Sequence, residues 1–465
     1  MESNFNHHLF SNQQSVEERI EAGKVLREKF PREMHGEYKP AENRVDPVDI
    51  LEEQAKTRLP FLVPIRYARM LTSPFAFLRG SAAVMAADLA AGPQTTGITV
   101  QACGDMHVAN FGVFGSAERN LVFGINDFDE TLPGPWEWDL KRLATSIVSA
   151  GKFLGAKDKL CEESVLAAVK SYRKHMKRYA NMGYIQLYYE TIKGSDILNV
   201  ISPSARKGAE KIFEKASKRT HMQVLEKLTD IVDEKNLLRV NSPFIVRETQ
   251  SYSGKPIEEA LGLVLESYYN SLSDEKKLLL NHYSIVDVVR KVVGVGSVGT
   301  RCWVIFLKGN HSGDPLFLQV KEAQPSVLEP FTEKSVYSNQ GHRVVAGQRI
   351  IQAAPDIFIG WGESEGIHFY VRQLRDMKGG VEMDPNKVKI KNMPQYSTLC
   401  GWALALAHAK SGDAAMIAGY AGKGTELDKA MARFAFSYAT QTEKDHQALA
   451  EAAKSGRITV AEESE

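Results

Sequence analysis

The chain has 465 residues, of which 43% are hydrophobic and 25% charged, and a formal net charge of +1. Such a composition is ordinary for a globular protein of roughly two or three domains. A near-neutral balance gives no global basic field, so a nucleic-acid partner is not expected. Cys103, Cys161, Cys302 and Cys400 are too scattered for a metal cluster and too few for a disulfide scaffold, which points to a reducing compartment.

The opening MESNFNHHLFSNQQSVEERI has no basic region followed by an apolar core, and no run of about 18 uncharged apolar residues occurs in the chain. Neither a signal peptide nor a membrane span is therefore expected, and the cytoplasm is the default. His7–His8 is too short to be a tag. Residues 1–50 are polar and interrupted by proline, and read as an extension on the surface. Val48–Arg58 and Leu62–Met70 are short helical candidates. In TSPFAFLRG (72–80), Ser73 before Pro74 reads as a helix cap and start, and Ala82–Ala91 as an alanine-rich helix. Arg79 ends an aromatic face; it suits a bidentate phosphate contact or an internal ion pair to a nearby acid.

The next stretch, QACGDMHVANFGVFGSAERNLVFGINDFDE (101–130), organises the rest. Asp105, His107 and Asn110 share one short loop, and Asp127 and Asp129 follow an apolar run. Charge at the edge of hydrophobic segments must be paired or bound to a cation. An Asp, an Asn five positions later and an Asp at a strand end is how a phosphotransferase arranges its base and magnesium ligands. Asp and Asn also cap turns through their own side chains. Gly97–Cys103 and Leu121–Ile125 read as strands joined through Val113–Asn120 into a hairpin that presents Asp105 and Asp127 at its open end. Pro133–Trp138 reads as a rigid turn, with Asp139 the N-cap of a helix whose apolar face carries Leu140, Leu143, Ile147 and Val148.

Residues 152–285 are mostly helical by pattern, with basic amphipathic segments over Cys161–Tyr184 and Lys211–Val232. Such segments serve a protein partner or form a solvated face, and the block is long enough to shape a small-molecule pocket. Beyond it, Asp287–Val293, Thr300–Leu307 and Leu316–Val320 read as strands, with GVGSVG (294–299) between the first two and Lys321 ending the third. The aromatic, β-branched TRCWVIFL that follows the glycines excludes a helix. The loop is therefore a flexible flap over phosphates and not a dinucleotide fingerprint. Gly294, Gly296, Ser297 and Gly299 would lie against a nucleotide, with Lys321 reaching its α and β phosphates. Glu329 is preferred over Glu322 as the lysine's partner, because residue 322 faces away from residue 321. Asp356–Gly360 and Ile367–Leu374 read as strands and Arg375–Gly380 as a polar connection. Tyr396–His408, capped by Ser397 or Thr398, is a buried helix, Met431–Ala448 a final helix and Gly456–Glu465 a frayed tail.

GDMHVANFG, INDFDE, TSPFAFLRG, GVGSVGTR and LQVKEA closely resemble a bacterial family catalogued as domain of unknown function 2252, from about residue 30 onward. The first two motifs also resemble the catalytic and metal loops of aminoglycoside and choline phosphotransferases, relatives of the protein kinases. That resemblance implies an α+β, two-lobed, protein-kinase-like fold. In that superfamily the glycine loop and lysine strand precede a buried helix ending near a His, and the catalytic loop follows. Here the catalytic and metal loops come first, so the resemblance implies a circular permutation with a large helical insertion. Its segments would be an extension (1–50), the catalytic and metal loops (51–150), the insertion (151–285), a nucleotide-binding lobe (286–380) and the helical remainder (381–465).

By motif position Asp105 resembles the catalytic Asp, Asn110 the amide metal ligand, Asp127 the metal-binding Asp and Lys321 the phosphate-binding Lys, while His107 resembles the loop histidine that braces the site. Cys103 stands where a His often precedes the glycine, and Phe128–Asp129 replaces Phe-Gly, so Asp127, Asp129 or both meet the metal. The expected activity is phosphate transfer from ATP with Mg²⁺ to a small-molecule hydroxyl or amine. Three alternatives remain: AMP transfer from the same cleft, a non-catalytic nucleotide-binding scaffold, and a metal hydrolase built on Asp105, His107 and Asp127.

Overall fold

A computed structural model describes residues 14–462 apart from 93–94, 219–220, 233–234, 252–253, 312, 353 and 375–376. His7–His8, Arg375 and the last three residues of the tail fall outside the described residues. The most uniformly apolar segment is buried inside the helix Met393–Ser411. This helix starts before the expected cap, at Asn392, and Ser397 lies buried within it. It packs along Asp158–Ala180 so closely that a Cβ on Gly401 would run into the Ala168 carbonyl. Trp136–Phe153, buried over nearly its whole length, and Glu426–Lys454 complete this helical body.

Residues expected to form a polar extension include the helix Val16–Lys29, started by a Ser15–Glu18 capping box. It crosses Ala414–Ala421 at Gly23 and Gly419, where neither side tolerates a Cβ. The tail is docked rather than frayed: Ile458 is buried, the Ala461 N–H meets the Pro64 carbonyl at 3.2 Å, and Arg457 reaches Asp46, Asp49 and Glu52.

The second layer is a six-stranded antiparallel sheet. Its order is Gly360–Ser364, Ile367–Gln373, Pro315–Glu322, Cys302–Lys308, Ser284–Lys291, Ile245–Val246. The glycine loop joins Ser284–Lys291 to Cys302–Lys308, and the register pairs Cys302 with Lys321. The lysine therefore ends its strand beside that loop. The expected strand at Asp356–Gly360 forms later, at Gly360–Ser364. The helix Gln340–Ile351 had no counterpart in the expectations.

Two other expectations fail on pairing. Thr99–Ala102 pairs with Leu132–Pro135, whose prolines read as a turn, and not with Leu121–Ile125. Leu121–Ile125 pairs instead with Phe111–Gly115, so the hairpin presents Asn110 and Asp127 while Asp105 sits in the turn after a different strand. The block 152–285 is mostly helical, as its pattern implies, but the β-branched TDIV (229–232) forms a strand with Lys235–Leu238, and Ile245–Val246 extends the main sheet. Among the described residues no helix is long and apolar enough to cross a membrane.

Candidate active site

The loop that carries Asp105 is held from behind. Gly104 has a φ of +76°, and a Cβ there would lie 2.6 Å from the Glu130 carbonyl oxygen, so only glycine fits this turn. Asp139 does not cap its helix, which begins at Trp136. Its carboxylate instead accepts the N–H groups of Cys103 at 2.6 Å and Gly104 at 3.0 Å. His408 Nε2 lies 3.2 Å from the same carboxylate, and the Tyr172 hydroxyl 2.9 Å from His408 Nδ1. This chain of buried groups fixes the turn from which Asp105 projects.

Asp105 is half-buried, and its Oδ1 accepts both Nε (2.8 Å) and Nη2 of Arg142. Its Oδ2 faces His107 Nε2 at 3.7 Å. Burial raises the Asp105 carboxyl above its ordinary value, with Arg142 and Arg79 pulling the other way. Burial, reinforced by Arg79 and Arg142, drives His107 well below its ordinary value, which favours the neutral imidazole. Asn110 donates Nδ2 to the Asp105 carbonyl at 2.8 Å, leaving its amide oxygen without a donor among the described residues.

Asp127 and Asp129 differ in their partners. Asp129 Oδ2 forms an ion pair with Lys321 and accepts Ser297 Oγ at 3.2 Å, while its Oδ1 accepts the Tyr370 hydroxyl at 2.7 Å. Burial opposes its charge, but Lys321 and these hydrogen bonds hold its carboxyl down to about 2. Asp127 accepts one hydrogen bond among the described residues, from the Asp129 N–H at 3.3 Å, and feels the charges of Lys321 and Arg372. Burial and the Asp129 charge push it above its ordinary value. Glu329 does not meet the lysine; its Oε1 takes the Ser335 N–H at 3.2 Å. Glu322 is occupied by Arg301 and Gln324.

Asp105, His107, Asn110, Asp127 and Asp129 line one cavity of about 110 Å³. Gly294, Gly296 and Ser297 close it from the glycine loop. Gly299 and Glu329 lie outside its lining, and Lys321 is sealed behind Asp129 with 3% exposure. The loop is pinned rather than free: Arg58 Nη1 donates to the Val298 carbonyl at 2.6 Å and Arg69 Nη1 to the Gly294 carbonyl at 2.7 Å. Gly299, at φ +96°, lies against the Arg58 side chain. A larger cavity of about 860 Å³ lies on the other side of residues 108–112, against Pro203–Ser217 and Met393–Ser411. It is mostly apolar and is lined by none of Asp105, Asp127 and Asp129.

Residues 58–452 match a family model described as "Uncharacterized protein conserved in bacteria (DUF2252)". The chain belongs to that family. No curated protein and no solved structure matches it. The segment that makes this an α+β member of DUF2252 also spans every residue of the small cavity from Arg58 onward.

Asp139, Arg142 and Tyr370 were not singled out as site residues by the sequence. Asp139 and Arg142 sit three apart on a helix buried over nearly its whole length, and two such charges in a buried face need a partner across it. Tyr370, opposite Lys321 in the strand register, gave no such signal, because an aromatic residue is ordinary within a strand.

Proposed function

We propose that the protein is a magnesium-dependent phosphotransferase that moves the γ-phosphoryl group of ATP to a hydroxyl or amine of a small molecule. The observation that carries this reading is the Lys321–Asp129 ion pair, which joins positions 192 residues apart. It sets the lysine of the glycine-loop sheet beside the acids of the early loops. A strand lysine next to a glycine loop suits the α and β phosphates of a nucleotide, and Lys321 would exchange Asp129 for a phosphate oxygen on binding.

Asn110 Oδ1 and Asp127 are hard oxygen donors without strong competing partners and fit Mg²⁺. No group of three or more His, Cys, Asp or Glu side chains suited to a metal occurs among the described residues, and a magnesium ion bound to phosphates needs only one or two carboxylates. The ion supplies neutralisation of the charge on the phosphoryl oxygens. Asp105, anchored through Oδ1, keeps Oδ2 to accept the acceptor's proton as its oxygen bonds to the γ-phosphorus and the bond to the ADP oxygen breaks. His107, held neutral, positions Asp105.

We also read the chain order as a circular permutation of a kinase-like arrangement. Supporting it, the helix Met393–Ser411, which carries His408 in its last turn, leads to Gly412, whose Cβ would lie 2.6 Å from Val100 Cγ1. An unpermuted chain would pass at that point directly into the strand before Asp105.

The test is Asp105→Asn, which keeps an oxygen for Arg142. Its thermal transition should stay near that of the natural protein while Mg-ATP turnover falls by about 10²–10⁴. Undiminished turnover refutes the assignment, and the mass of the modified acceptor separates added phosphate from added AMP.

A further inference from the structure

We propose that Arg58, Arg66 and Arg79 form a binding site for a phosphate-type oxyanion, carried either by the acceptor or as the terminal phosphate of the nucleotide. Naming the carrier rests on the phosphotransferase reading; the anion site does not. The three arginines come from separate elements. Arg58 follows the helix Pro47–Ala55, Arg66 lies within Val63–Leu71 and Arg79 within Pro74–Gly80, yet all three line the 110 Å³ cavity.

Part of their hydrogen-bonding capacity is unused. Nε of Arg58, Nε and Nη1 of Arg66, and Nε of Arg79 are buried without a partner. Arg66 is only 1% exposed, and its Nη2 is tied to Gln54 Oε1 at 3.0 Å and the Gly80 carbonyl at 2.9 Å. That anchor fixes the plane of the guanidinium and leaves its other edge unsatisfied. Arg79 rests on the Phe75 ring, 5.9 Å from its centroid, with no hydrogen bond among the described residues. No carboxylate forms an ion pair with any of the three among the described residues. Glu130, the acid of the cavity nearest in sequence to the metal loop, spends its Oε2 on the Val327 N–H at 2.8 Å.

Elsewhere buried guanidiniums are answered by carboxylates or carbonyls, and Arg19, Arg290 and Arg301, which also keep an unpartnered nitrogen, each pair with an acid. Arg173 makes two bonds of 2.6 Å to Asp428, Arg44 is held between Asp88 and Asp445, and Arg343 donates to the carbonyls of Asp129, Thr131 and Gln324. Leaving a buried cation uncompensated costs several kcal/mol, so the exception marks a place where the missing charge arrives from outside. Planar guanidinium forks brought to one cavity by three separate elements suit a tetrahedral oxyanion. The acids on the opposite wall would bind the cation that accompanies it. The fold also fixes the site beneath the glycine loop: a Cβ on Gly296 would lie 3.1 Å from the Arg79 carbonyl oxygen.

The experiment is calorimetric titration of inorganic phosphate into the full chain without nucleotide or magnesium, repeated with Arg79→Gln and Arg58→Gln. The natural protein should bind phosphate, and each variant should bind it at least about ten-fold more weakly, with Arg79→Gln, which loses no hydrogen bond, keeping its thermal transition. No heat of binding up to about 10 mM phosphate, or equal affinity in both variants, overturns the site. Repeating the titration with a non-hydrolysable ATP analogue at saturation identifies the carrier. Competition assigns the anion to the nucleotide, and simultaneous binding assigns it to the acceptor. Phosphate binding that persists in a protein without ATP turnover sinks the phosphotransferase reading and leaves this site standing.

Discussion

The two walls of the small cavity carry opposite charges and are built in opposite ways. On the acidic wall Asp105 is tied to Arg142, Asp129 to Lys321 and Tyr370, and Asp139 behind them to two backbone amides, while Asp127 has a single 3.3 Å contact among the described residues. On the basic wall Arg58, Arg66 and Arg79 keep unpartnered nitrogens. A carboxylate with its bonds made is a positioned tool, whereas a guanidinium with open donors is half of an interaction. The contrast distinguishes what the protein has assembled for itself from what it leaves to a ligand.

Three changes test that contrast. The largest effect should come from Asp139→Ala, which strips the acceptor from the Cys103 and Gly104 amides and from His408; a loss of about 3–5 kcal/mol in urea unfolding is expected. A loss below about 1 kcal/mol would mean that the acidic wall is not held from behind.

Glu130 sits between the walls. Burial chiefly, against the Val327 N–H and Arg343, pushes its carboxyl from 4.5 up to about 7. Because the folded value lies above the unfolded one, the folded state holds the extra proton between these values. Stability conferred by the neutral form is present below about pH 4.5 and is lost as pH rises through 7. Glu130→Gln should therefore remove part of that decline and stabilise the protein at pH 8 by on the order of 2 kcal/mol. An unaltered pH profile of unfolding contradicts this. The smallest effect should be that of Ser73→Ala. Ser73 Oγ accepts the Ala76 N–H at 3.1 Å and caps the helix bearing Arg79, so its loss should cost about 1 kcal/mol in chemical unfolding. A larger cost would mean that this helix is tied into the body more tightly than its single cap implies.

What could be read from the sequence follows from what local pattern encodes. The strands flanking GVGSVG, the lysine at a strand end and the buried helix around Tyr396–His408 announce themselves through uniform apolar runs. Strand partners do not: Leu132–Pro135 pairs with Thr99–Ala102 although its prolines cannot donate. The helix Gln340–Ile351 was hidden by Gly341 and Gly347, which weaken helices on their own. Both are required because a Cβ would collide with the Phe369 carbonyl or the Thr131 side chain. Of the site residues, Asp105, His107, Asn110 and Asp127 were visible as a dense cluster and meet in one cavity. Glu329 was chosen by strand alternation alone, a rule that is blind to the Asp129 arriving from a distant loop. Arg58 and Arg66 carried no signal, since a sequence shows where a charge is but not whether anything answers it.

The pinned glycine loop has a kinetic corollary. The Leu59 N–H bonds to the Gly299 carbonyl at 2.8 Å, and Arg58 and Arg69 hold Val298 and Gly294. Any excursion that admits a large ligand beneath this roof has to lift the segment around Arg58 and Arg69 along with the loop. Solvent deuterium should consequently enter the Leu59 amide no sooner than that roof opens, giving a clock for access to the interior that runs whether or not chemistry follows.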